Sequence, residues 1–207
     1  MKKLCLYLSI LCLGGGVSTS VFAGKHIYVS GPEVYGNMEL VNGSSFGEGI
    51  AGADKICQEE YGDTFKALIV TDDRYPGTRN DEGEPRYGSS HAKDWVLTPH
   101  THYYSKDENE YYWDIEIGET NGDAIFKFAL NHAVLDQTPS GEVQLVWTGM
   151  YSDWTPSKYN CDSWRSKYSD GGGRVGVASS QDAGSISKQD NGDNDCGSAR
   201  NIYCVEQ

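Results

Sequence analysis

Cysteine offers the most chemistry in this sequence. Six are present, and four of them, Cys57, Cys161, Cys196 and Cys204, lie beyond the first 23 residues. A thiol can attack a carbon centre, hold a soft metal or oxidise to a disulfide. The compartment decides between these, and the N-terminus points to one. Lys2 and Lys3 precede an apolar run from Leu4 to Leu13, and Val21-Phe22-Ala23 ends on a small residue before Gly24. This is the order of a cleaved secretory signal peptide over residues 1–23, and its apolar run is too short to span a bilayer. Cys5 and Cys12 leave with it, and Leu11 fits poorly before a lipid-bearing cysteine. An even number of cysteines in an exported chain predicts disulfides, and four cysteines allow three connectivities. Paired sulfurs are not available as nucleophiles.

Oxygen and nitrogen ligands form two further groups. The run Asp190-Asn191-Gly192-Asp193-Asn194-Asp195 offers hard oxygens of the kind Ca²⁺ takes, so Asp190, Asp193 and Asp195 are calcium candidates. Asn201 stands where an EF-hand loop would place its bidentate Glu, and the plain alternative is a solvated turn. No cofactor is required by this reading; calcium is the one it allows. His100-Thr101-His102 would put two imidazoles on one side of a strand, with His91, Asp94 or Asp107 as a third zinc ligand. The plain alternative is a pair of exposed loop histidines after Pro99. No G-x-S-x-G elbow appears, and Gly171-Gly172-Gly173-Arg174 lacks the Lys-Ser/Thr of a phosphate cradle. With 30 acids, chance carboxylate pairs are common, so a hydrolase using surface carboxylates stays open as an alternative. Tyr151 and Trp154 follow Val146-Trp147-Thr148-Gly149 in a polar stretch, and with Trp164 they are candidates for contact with a ligand.

Charge narrows the partners. The chain carries −13, or −15 once Lys2 and Lys3 are removed. A nucleic-acid or heparin binder needs a basic footprint, so nucleic acid and heparin-like polyanions are excluded as partners. The 207 residues suit one domain. A hydrophobic content of 38% with 25 glycines and 14 tyrosines favours loops and strands over a helical bundle.

These residues need elements to hold them. His26 to Val29 alternates as a strand, and residues up to 45 read as loop. Residues 46–61 read as a helix, with Ser45 and Glu48 as a capping box. Ile50, Ala53, Cys57 and Tyr61 recur on one face of it, and Gly62 stops it. Lys66 to Val70 and Asp94 to Leu97 are strand candidates. Tyr103-Tyr104 and Tyr111-Tyr112-Trp113 flank a charged turn and suggest a hairpin. Residues 124–135 fit strand and helix alike. Val143 to Met150 is a strand leading into the Gly/Ser/Asp-rich stretch.

Several of these features resemble the C-type lectin-like superfamily: Cys57 on a helix, Trp147-Thr148-Gly149 on a strand, Cys196 and Cys204 near the end, and Tyr203-Cys204-Val205-Glu206. Within it the likeness is greatest to endostatin, through Tyr159-Asn160-Cys161-Asp162-Ser163-Trp164-Arg165 and Thr64-Phe65-Lys66-Ala67-Leu68. A family of exported bacterial proteins of unknown function shares the Tyr-Cys-Val-Glu-Gln ending and the Gly52-Ala53-Asp54-x-x-Cys57 helix. The resemblance implies an α+β fold over 46–207, preceded by a strand and loop at 24–45, with one or two helices on a distorted antiparallel sheet. It implies the pairs Cys57–Cys204 and Cys161–Cys196. The superfamily's sugar-binding calcium motifs are not intact: Thr155-Pro156-Ser157 stands before Cys161. Its formylglycine-generating enzymes need reactive thiols, which paired cysteines do not supply. The expected function is therefore a secreted or periplasmic, non-catalytic binding or adhesion module. It would recognise an extracellular protein or glycan through the long loops between Trp147 and Cys196. A calcium-dependent lectin is the alternative within the same fold.

Overall fold

A computed structural model of the chain describes residues 24–106, 114–135, 143–168, 171–188 and 194–207. The expected signal peptide and the Tyr111–Trp113 arm of the hairpin lie outside these residues. In chain order the elements are β1 (Lys25–Val29), α1 (Gly49–Tyr61), β2 (Phe65–Ala67), β3 (Gly77–Arg79), β4 (Pro85–Tyr87), β5 (His102–Lys106), β6 (Asp114–Glu119), β7 (Leu145–Trp147), β8 (Val175–Val177) and β9 (Asn201–Glu206). A 3₁₀ turn spans Ala183–Ser185.

Asn201 to Val205 are all buried, so β9 has no face for water and must lie inside a sheet covered on both sides. It does: the main sheet runs β6-β5-β1-β9-β7-β8, with β2 also paired to β9. One edge of β9 takes β1 antiparallel, with Tyr28 opposite Cys204. The other edge is shared. β2 pairs antiparallel with Cys204 to Glu206, and β7 pairs parallel with Asn201 and Ile202. β1 therefore belongs to the same sheet as the rest, and it also runs parallel to β5. The sheet is mixed and not the antiparallel one expected, because β1 runs parallel to β5 and β7 parallel to β9; with α1 packed on it the fold is α+β.

Alternation along β9 divides the interior into two cores. Ile202 and Cys204 face a core shared with Ala53, Ile56, Cys57, Phe65, Ile69, Trp147 and Trp164. Tyr203 and Val205 face another, built with Ile27, Leu68, Val70, Phe126 and Trp154. α1 covers the first side; irregular segments around residues 95–97, 124–134 and 150–154 cover the second.

Both expected disulfides are present. Cys57–Cys204 joins α1 to β9, and Cys161–Cys196 closes the irregular segment between them. Other details differ from expectation. α1 begins at Gly49, and Glu48 occupies the N-cap without a side-chain cap bond. There is no capping box, because the Ser45 hydroxyl instead accepts from the Gly47 N–H at 3.1 Å. Gly62 does end the helix, at φ 104°. Asp94 to Leu97 forms no strand, although Val96 and Leu97 are core residues. Tyr103 and Tyr104 do lie on a strand, β5, which pairs antiparallel with β6 with a bulge at Tyr103/Tyr104; the expected partner arm is outside the described residues. Residues 124–135 are neither strand nor helix; their apolar side chains plug the second core from irregular backbone.

Candidate functional site

Leaving β7, the chain turns at Gly149, which has φ 70° and sits so close to Val70 and Trp164 that a Cβ would meet the Val70 carbonyl oxygen at 2.8 Å. The segment that follows reaches an unusual turn at Cys161–Trp164. All four residues are left-handed, with φ of 50°, 55°, 56° and 62°. For L-residues this costs about 1–2 kcal/mol each, so surrounding contacts must hold it. They come from three sides. Cys161 is bonded to Cys196. The Asn160 side-chain oxygen accepts from Ser163 N–H at 3.0 Å. The Trp164 indole enters the core, donates to the Val70 carbonyl at 3.0 Å and lies 5.6 Å from Trp147. Gly173 lies under this turn, where a Cβ would meet the Trp147 ring at 2.6 Å and Cys161 Sγ at 2.8 Å.

Two hollows open beside the turn and share Asp72 and Ser163. One, about 560 Å³, is lined by polar residues alone, among them Ser157, Lys158, Asn160 and Asp162. The other, about 520 Å³, lies between the start of α1 and the 71–74 turn. Its floor is Arg74, which is 1% exposed. Arg74 meets Asp54 through two bonds of 2.6 and 2.7 Å, Asp94 through two of 3.0 and 2.6 Å, and the Ala67 carbonyl at 3.0 Å. Burial works against the Arg74 charge, yet the two carboxylates outweigh it and its pKa is raised. Burial likewise works against the charge on Asp94, and the bonds from Arg74 and Lys66 prevail, holding its carboxyl below the usual value. A carboxyl held down in this way is not the protonated acid that glycoside cleavage needs. Asp54 and Asp94 are committed to structure.

On the neighbouring surface, cations and tyrosine rings alternate. The Arg79 guanidinium lies 5.5 Å from the Tyr151 ring, Arg174 lies 5.1 Å from Tyr151 and 5.8 Å from Tyr159, and Lys158 lies 4.9 Å from Tyr159. Arg79 is also paired with Asp153.

The structure separates the three aromatic candidates. Tyr151 is half-buried within this row. Trp154 and Trp164 are corrections: they are 3% and 0% exposed. Trp154 stacks on Phe128 at 5.6 Å in the second core, and Trp164 anchors the left-handed turn in the first. A polar-looking loop hid the fact that its tryptophans point inward. Of the calcium candidates, Asp190 and Asp193 lie outside the described residues. Asp195 accepts from the Gly197 N–H at 3.0 Å, closing a local turn. The zinc candidates are not brought together. His102 bonds Glu116 at 2.8 Å, Asp94 serves Arg74 and Lys66, and Asp107 lies outside the described residues. Among the described residues no group of three or more His, Cys, Asp or Glu is placed to hold a metal. Sequence reasoning missed Arg74 and the Arg79–Lys158 row. Their partners are distant in the chain, and no local spacing announces them.

A family model described as protein of unknown function (DUF1554) matches residues 39–181, more than half the chain. The chain belongs to the DUF1554 family. The DUF1554 match takes in α1, the Arg74 network, the left-handed turn and the whole row from Arg79 to Arg174. It leaves β1 and β9 outside. No curated protein matches the chain.

Proposed function

We propose that this protein is an exported, non-catalytic binding or adhesion module with a C-type lectin-like architecture of the endostatin kind. It recognises a protein or glycan through the surface formed by residues 150–168 and 171–174. Two disulfides support export, since such bonds persist in oxidising compartments. Among the described residues no helix is long and apolar enough to cross a membrane. The α1–β9 disulfide, the Trp147-Thr148-Gly149 strand end and the second disulfide at the base of a long irregular segment support the architecture.

One observation carries the functional reading. The Cys161–Trp164 turn is strained, yet it is fixed from beneath by a disulfide and a buried indole while Asp162 stays exposed. A rigid base under an irregular polar surface is how binding loops are held ready. The test is a glycan and matrix-protein array probed with the oxidised protein, with and without chelator. The expected result is a restricted set of ligands, insensitive to chelator and weakened by Tyr151→Ala but not by Lys55→Ala on the exposed side of α1. A blank array, or ligands indifferent to Tyr151, overturns the proposal.

A further inference from the structure

Among the described residues, Arg174 is a charged group with nothing of opposite charge beside it. The chain carries 30 acids against 17 basic residues, so an arginine has many potential partners. Arg74, Arg79, Lys66, Lys93 and Lys167 all have a carboxylate within ion-pair distance. Among the described residues Arg174 has no carboxylate and no side-chain hydrogen bond, and its Nε is buried without an acceptor. Arg200 shares the unpaired Nε, but its Nη1 donates to the Ala199 carbonyl at 2.6 Å. The Arg174 backbone is tightly held, with its N–H on Tyr159 O and its carbonyl accepting from Thr148 and Gly149. Two tyrosine rings within 6 Å hold the guanidinium. The residue is half-buried, so the outer end of the fork is what it shows to solvent.

We propose that Arg174 is an anion-recognition residue that takes the carboxylate of an acidic sugar, such as a uronate or a sialate, end-on through its two terminal nitrogens. The assignment rests on the reading of this face as a binding surface. A planar fork fixed against aromatic rings loses little freedom when a carboxylate docks, and charge-assisted pairs of this kind are the strong ones. Lys158, held over Tyr159, adds a second positive charge beside it. The negative charge of the whole chain disfavours long polyanions and leaves room for a single carboxylate. The hollow beginning at Lys158 favours a saccharide over a peptide. Ser157, Asn160, Asp162 and Ser163 offer hydroxyls, an amide and a carboxylate for sugar hydroxyls. It has no apolar pocket of the kind in which a protein partner's hot-spot side chain seats.

The test follows the Arg174 Nε–H resonance by ¹⁵N NMR while glucuronate, N-acetylneuraminate, glucose or a glutamate-rich peptide is added to the oxidised protein. The expected result is a saturable shift with either acidic sugar and none with glucose. Arg174→Lys keeps the charge but loses the fork, and acidic-sugar affinity measured calorimetrically should fall roughly tenfold or more. Arg174→Gln should abolish it, with an unchanged near-UV spectrum showing that the fold persists. No shift with either acidic sugar, or undiminished affinity in Arg174→Gln, overturns the proposal. An equal or larger response to the peptide overturns the saccharide assignment in favour of a protein partner. Array ligands that persist in Arg174→Gln, with no Arg174 shift, sink this inference and spare the module reading. An Arg174 response with a blank array does the reverse.

Discussion

Around Arg74, each donor nitrogen of the guanidinium meets an acceptor, and the acceptors come from α1, the end of β2 and the irregular segment at Asp94. Around Arg174 the same head group meets two tyrosine rings and, among the described residues, no acceptor. The first corner is an interlock: it ties segments together, and its charges are used up in doing so. The second is a surface prepared and left open. The two disulfides repeat the division. Cys57–Cys204 bonds a helix to a strand across 147 residues, whereas Cys161–Cys196 spans 35 and holds a turn that regular backbone would not adopt. Comparing the two regions shows which charges serve the fold and which are free to serve something else.

The comparison can be broken at its strongest point first. Replacing Cys57 and Cys204 by serine should cost about 5 kcal/mol by chain entropy, against about 4 for Cys161 and Cys196, because the closed loop is longer. Urea unfolding of both pairs of variants checks the order, and a larger loss at the shorter loop would place the stability in the irregular region. Next, Arg74→Ala should lose about 3 kcal/mol, since it strands Asp54 without a counter-charge and leaves Asp94 with Lys66 alone. Arg174→Ala, read in the same denaturant series, should lose about 1 kcal/mol or less, the worth of its ring contacts. Equal losses at the two arginines would erase the distinction.

Acid sharpens the comparison further. Asp94 has a depressed carboxyl pKa, so its contribution is complete above the ordinary value of 3.8 and disappears as pH falls through the lower folded value. The melting temperatures of Asp94→Asn and the parent should differ at neutral pH and converge at strongly acid pH. The smallest effect is expected at His102, whose pKa is raised chiefly by Glu116. Its contribution is complete below the ordinary 6.5 and is lost as pH rises through the folded value. His102→Gln should therefore lower the melting point slightly at mildly acid pH and not at all in alkali. At 41% side-chain exposure, solvent keeps the effect small.

Much of the frame was legible in the residues. Signals that are local in the chain carried through: the 3.6-residue recurrence ending at Gly62, the alternation in β1, the Tyr103-Tyr104 strand β5, and the cysteine pattern. What failed was whatever depended on distant partners. Residues 124–135 are apolar enough for strand or helix, but they are spent filling a core from irregular backbone. Trp154 and Trp164 sit among polar neighbours in sequence and among apolar ones in space. The candidate surface was foreseen in outline through Tyr151. Its cations were not, because Arg79, Lys158 and Arg174 meet only after β7, β8 and the disulfide have brought their segments together.

If the chain is exported as proposed, the place of β9 bears on its delivery. A polypeptide threaded through a membrane pore from its N-terminus presents β1, β2 and β7 well before residues 201–206 appear, and each of the three needs β9 as a neighbour. Until then their hydrogen-bonding edges are open and Cys57 has no mate. Such a molecule would depend on escorts at its point of exit, holding sticky edges apart and keeping Cys57 from bonding prematurely to Cys161 or Cys196.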